Sequence, residues 1–143
     1  MKRSPAIASL SRDHHQTLVV AQLLRRATEE TALEARSRFL THWDEDARTH
    51  FRLEEEVLLP AFAGHGDPFH PLVARTLCEH VEIRHRAAAL RADEAAPLRT
   101  LHELGEALNS HVRGEERELF VLIEDTIPEA ELAILVTSLT RRS

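Results

Sequence analysis

Thiol chemistry is nearly missing from this chain: Cys78 is its one cysteine. That excludes an internal disulfide and any paired-cysteine redox or zinc motif. It suits a reducing, intracellular setting, and the expected location is cytoplasmic. Long apolar runs are missing too. None approaches the ~20 residues of a membrane-spanning helix, so no membrane partner is expected. The N-terminus, MKRSPAIASLSRD, has basic residues but no sustained apolar stretch, and does not read as a secretory signal. Clustered positive charge is absent. The net charge is −6, and the arginines are scattered (Arg25-Arg26, Arg36, Arg38, Arg84, Arg86, Arg141-Arg142). A nucleic-acid partner, which needs a basic face, is therefore not expected.

Four glycines and six prolines leave few breaks. None of them frames an alternating strand pattern, and the apolar period is that of helices. The pattern predicts helices over about 9–30, 32–63, 71–93, 97–125 and 128–140. Thr31-Ala-Leu-Glu34 and Thr126-Ile-Pro-Glu129 have the spacing of capping boxes. Asp67-Pro68 or His70-Pro71 opens the third helix, because proline suits a first helical turn. Gly64 ends the second. Four long helices with short connections predict an all-α, up-down-up-down four-helix bundle with a short C-terminal fifth helix, forming one domain over residues 1–143.

What the chain does have is histidine, ten residues of it. Imidazole is the commonest protein metal ligand. Several of these histidines fall where apolar residues belong. The second helix buries Phe39, Trp43, Ala47, His50, Glu54 and Val57 or Leu58. The fourth buries Leu101, Leu104, Leu108, His111, Glu115, Leu119 and Leu122. Both stripes are apolar at the ends with H-x-x-x-E in the middle. The third helix carries Val73, Leu77, His80, Ile83, Ala87 and Leu90. The first carries Leu10, His14, Leu18, Ala21 and Leu24. Helices one and two thus read as a histidine followed by H-x-x-x-E, and helices three and four repeat it.

Burying an unpaired carboxylate is costly, and no lysine or arginine lies on these stripes to pair with Glu54 or Glu115. A dication does so. Nitrogen and oxygen donors without thiolate suit iron, manganese or zinc. The candidate ligands are His14, His50, Glu54, His80, His111 and Glu115. His15, His85 and Glu116 are secondary candidates. His14 is preferred to His15 because it lies between Leu10 and Leu18, and His85 lies about 140° around the helix from His80. Asp13, Glu55, Glu79 and Glu116 are positioned to accept the second N–H of a ligating imidazole. Gly114, directly before Glu115, leaves room for a neighbouring helix or a ligand. Cys78, Trp43 and Phe51 read as packed side chains, His42 as structural, and His65, His70 and His102 as solvent-facing.

Asp13-His14, His50-Phe-x-x-Glu54-Glu55, Glu79-His80 and His111-x-x-x-Glu115-Glu116 together resemble the hemerythrin-like, HHE-type cation-binding proteins. The resemblance spans about residues 10–122. It implies a four-helix bundle around a non-haem di-iron centre, with the six residues as ligands and Glu54 and Glu115 bridging. Two features depart from the oxygen-carrying members. They have H-x-x-x-H on the third helix, where this chain has Arg84 four residues after His80. Their fourth-helix carboxylate is an aspartate five residues after its histidine, where this chain has Glu115 at four and Glu116 at five. The implied function is binding or sensing of dioxygen or nitric oxide, or iron handling. A di-iron redox enzyme acting on peroxide or oxygen and a metal-free helical interaction module are the alternatives. No nucleophile–base constellation points to other catalysis.

Overall fold

Ser4 and Pro5 start the first helix earlier than the apolar period suggests. In the computed structural model, which describes residues 3–140, the Ser4 hydroxyl accepts the Ile7 N–H at 3.4 Å and Pro5 opens the first turn. This helix, α1, is Pro5–Arg25. It stops short of Glu30 because the next residues form a turn in which the Thr28 N–H donates to Thr31 Oγ1 at 2.8 Å. That bond takes the hydroxyl expected to cap the second helix, so the Thr31–Glu34 capping box does not form. Helix α2 covers residues 32–63 and α3 is Pro71–Ala92. His70-Pro71, not Asp67-Pro68, opens α3, with His70 Nδ1 accepting the Leu72 N–H at 3.0 Å. Helix α4 covers residues 98–126 and α5 is Glu129–Thr140. Thr126 closes α4 instead of capping α5, whose first turn hangs on the Pro128 carbonyl. All secondary structure among the described residues is helical, and none of these helices is long and apolar enough to cross a membrane. Arg141-Arg142 and the two ends of the expected domain lie outside the described residues.

Three π-helical turns interrupt the long helices: Trp43–Ala47 and Glu54–Leu58 in α2, and Glu115–Leu119 in α4. They follow from the spacing of the buried residues. Phe39, Trp43 and Ala47 step by four, as do His50, Glu54, Leu58 and Phe62, and His111, Glu115, Leu119 and Ile123. In a regular α-helix four residues turn about 400°, so each step drifts about 40° off the core. The wider π turn absorbs that drift, and such turns recur at functional sites. It also brings Ile123 rather than Leu122 into the core.

The apolar core has two parts. One is built around Leu24, Phe39, Trp43, Leu90, Leu104 and Leu108, the other around Ile7, Leu10, Leu58, Phe62, Phe120 and Ile123. Helix α5 covers the second with Leu132 and Leu139. Two expected core positions are wrong. Leu77 is 40% exposed and Leu18 only half-buried, and Thr76 and Thr17 take their places. Each threonine returns its hydroxyl to its own helix, Thr76 to the Leu72 carbonyl at 2.8 Å and Thr17 to the Asp13 carbonyl at 3.4 Å. That leaves neither threonine hydroxyl unmatched.

Helices α1 and α4 touch closely at Gly105. A Cβ there would lie 2.8 Å from the Ala21 carbonyl oxygen and 2.9 Å from the Arg25 nitrogen, both backbone atoms. Gly105→Ala is expected to cost about 1–3 kcal/mol in urea denaturation, as overpacking does. A gain in stability, from alanine's better helix propensity, would show that the helices separate freely.

Candidate metal centre

Between the two apolar clusters the buried polar residues meet. His14, His50, Glu54, His80, His111 and Glu115 come from α1, α2, α3 and α4, and all are at most 4% exposed. They form two sets of four that share both glutamates: His14, His50, Glu54 and Glu115, and Glu54, His80, His111 and Glu115. Within each set the donor atoms lie within 4.8 Å of one another. Glu115 Oε1 is 2.9 Å from His14 Nε2 and 4.0 Å from His50 Nε2. Its Oε2 is 3.0 Å from His111 Nε2 and 3.6 Å from His80 Nε2. Glu54 is split in the same way, with Oε2 at 3.1 Å from His50 Nε2 and Oε1 at 3.0 Å from His80 Nε2.

The opposite ring nitrogens close a cycle around the helices. His50 Nδ1 meets Asp13 of α1 at 3.0 Å, and His80 Nδ1 meets Glu55 of α2 at 2.6 Å. His111 Nδ1 meets Glu79 of α3 at 2.7 Å, and His14 Nδ1 meets Glu116 of α4 at 2.6 Å. Each helix thus holds the histidine of the next with a carboxylate adjacent in sequence to one of its own site residues. A carboxylate at Nδ1 places the proton there and leaves Nε2 as the donor atom facing inward. The sequence marked these four carboxylates as acceptors. Which histidine each one serves depends on helix packing, and no residue spacing encodes it. Ser11, which no motif singles out, adds a hydroxyl donated to Glu116 at 2.8 Å.

The electrostatics are strained in the same places. Burial lowers an imidazole's pKa, yet the carboxylates outweigh it here. His80 is raised to about 9 by Glu115 and Glu54, and His111 to about 10 by Glu115, Glu79 and Glu54. His50 is held well above its ordinary value and His14 is also raised. Burial pushes the Glu115 carboxyl up, but His111, His14 and His50 bring it well below the usual carboxylate range. Even so, Glu54 Oε1, both oxygens of Glu115, and Nε2 of His80 and of His111 are buried without a hydrogen-bond partner. Some of them approach to 3.0 Å, but they face a common interior instead of aiming at one another. Unmatched buried polar atoms of this kind are costly, and cations in the two sets would satisfy all five. The nitrogen and oxygen donors, without thiolate, fit that role.

The family model for the hemerythrin HHE cation-binding domain matches residues 6–123. The chain belongs to this family. Comparison with curated proteins and with solved structures finds no match. The hemerythrin match covers α1 to α3 and α4 as far as Ile123, the segments that bring the six residues together.

The remaining histidines of this HHE domain stand apart from the centre. His15 and His85 are exposed on the outer faces of α1 and α3. Glu116 faces the far side of His14, not the shared interior. His42 is buried, bonded through Nε2 to Thr17 Oγ1 at 2.9 Å, and burial lowers its pKa. His65 pairs with Glu131 of α5, and His102 Nε2 donates to the Ala27 carbonyl at 2.8 Å, so neither is simply solvated. Cys78, expected to be packed, is exposed because it lies with Leu77 and Val81 on the outward face of α3. At Gly114 the close neighbour is the Arg75 guanidinium of α3, 2.9 Å from where a Cβ would be.

Proposed function

We propose that this domain holds two cations, iron in the working protein, and uses them to bind or sense a small molecule such as dioxygen or nitric oxide. The observation that carries the reading is the sharing of Glu54 and Glu115 between two histidine pairs, each carboxylate turning one oxygen to each pair. His14 and His50 would serve one cation, His80 and His111 the other, with both glutamates common to the two. Manganese and zinc suit the same donors. A pair of iron ions supplies one-electron chemistry and open coordination positions for a diatomic ligand. The protein's own part is to present four neutral Nε2 donors, balance charge with two buried carboxylates and exclude bulk water with apolar clusters on either side. The up-down-up-down order of the four long helices and a single domain belong to the same reading.

Protein purified without oxygen should contain about two irons per chain, released by chelation with a fall in thermal stability, because cation binding is linked to folding. Admission of oxygen should bring up a ligand-to-metal absorption band. Protein that stays metal-free after anaerobic reconstitution with iron, and melts at the same temperature with and without chelator, would favour the metal-free interaction module.

A further inference from the structure

Two of the four central histidines sit in matching settings. His14 stacks on Phe120 with the rings 4° from parallel and centroids 5.4 Å apart, and His80 stacks on Phe51 at 6° and 3.8 Å. An arginine lies over each phenylalanine: Arg3 is 5.7 Å from the Phe120 centroid and Arg84 5.7 Å from that of Phe51. The same arginine holds the carboxylate behind the histidine. Arg84 Nη2 donates to both oxygens of Glu55, at 3.0 and 3.1 Å. Arg3 Nη2 donates to the backbone carbonyl of Glu116, inside the π turn, and lies 3.5 Å from the Glu116 carboxylate. Glu55 and Glu116 in turn take Nδ1 of His80 and of His14, both at 2.6 Å. Around His111 the arrangement is looser, with Phe51 tilted 61° to its ring and Arg75 3.9 Å from Glu79.

We infer that Arg3 and Arg84 are positioning residues, one for each cation position, and that the position served by His14 is the one the N-terminal segment controls. The inference rests on the two-cation reading above. Each arginine fixes a carboxylate, the carboxylate fixes an imidazole, and the phenylalanine between them sets the plane of both. The two arginines are anchored differently. Arg84 belongs to α3 itself. Arg3 precedes α1 and is held by Glu124 of α4, through Nη1 at 2.9 Å, while the Ser4 N–H donates to the same carboxylate at 2.6 Å. Glu124 touches none of the central histidines, so neutralising it loosens Arg3 without altering the centre directly.

Zinc, which is redox-silent, gives a clean readout on the full chain. Chelator competition should find two zinc ions per wild-type chain. Arg3→Ala and Glu124→Gln should each weaken one of the two by up to about 10-fold, the low end of what losing a group directly behind a ligating histidine costs. Arg84→Ala should weaken the other. In NMR of the zinc protein, the His14 Nδ1–H signal should be lost to solvent exchange in the first two variants while that of His80 persists, and the reverse should hold for Arg84→Ala. If Arg84→Ala fails to fold, the Arg3 and Glu124 variants still decide. Unchanged affinities with every Nδ1–H retained, or an equal loss at both positions in Arg3→Ala, would overturn this inference alone. A wild type that takes up no zinc overturns the two-cation reading with it.

Discussion

Glu115→Ala should empty both cation positions, while His14→Ala should empty one. The difference follows from which atoms each side chain presents. His14 offers a single inward nitrogen, whereas Glu115 turns Oε1 to His14 and His50 and Oε2 to His80 and His111. Glu54→Ala should behave like Glu115→Ala, since its oxygens divide between His50 and His80. The chelated protein should suffer too. Removing Glu115 leaves His14, His50, His80 and His111 without a carboxylate that helps hold each above its ordinary pKa. Breaking a buried charge pair by deleting one partner costs about 3–5 kcal/mol. Glu115→Gln separates the two effects, because it keeps the shape and loses the charge. Metal analysis after dialysis and urea midpoints in chelator measure them. A Glu115→Ala protein that retains two cations per chain would show that the carboxylate is not shared.

The site was legible in the sequence to the extent that helical spacing is enough to define it. His50 with Glu54 and His111 with Glu115 stand four apart, so any α-helix puts each pair on one face. His14 and His80 followed from their apolar neighbours on the same stripe. What spacing cannot show is what happens across helices. The pairing of Asp13 with His50, or of Glu79 with His111, is fixed by how the helices pack. Arg3 lies ahead of the apolar stripe of the first helix, and only the cap pair Ser4-Pro5 places the helix start beside it. The π turns escape a fixed helical period for a related reason. A fixed period of 3.6 takes runs such as Leu119 after Glu115 after His111 as regular helix and leaves the drift out. Counting it marks Trp43, Glu54 and Glu115 as the places where the helix widens, and the last two are the carboxylates the metal reading singles out. The capping boxes failed because T-x-x-E is a short motif, and a nearer donor or a longer helix can claim the threonine.

Stability should fall as pH rises in the chelated protein and lose that dependence once a cation is bound. In the chelated protein His80 and His111 are raised from 6.5 to about 9 and about 10. Between 6.5 and those values the folded state holds protons that the unfolded state has released, so stability falls as pH rises through that window. The contribution is complete below 6.5 and gone above about 10. A shift from 6.5 to about 9 is on the order of 3 kcal/mol, counted once from the histidine side because Glu115 is the shared partner. A bound cation needs the same Nε2 atoms unprotonated. Loading with zinc at pH 7.5 should therefore release protons to solvent, and zinc affinity should climb with pH across the window in which the chelated protein weakens. Urea midpoints from pH 6 to 10, with chelator and with zinc, test the first part, and a pH-stat trace during zinc addition tests the second. Parallel pH profiles, or uptake without proton release, would mean that the cation does not take the place of those protons on His80 and His111.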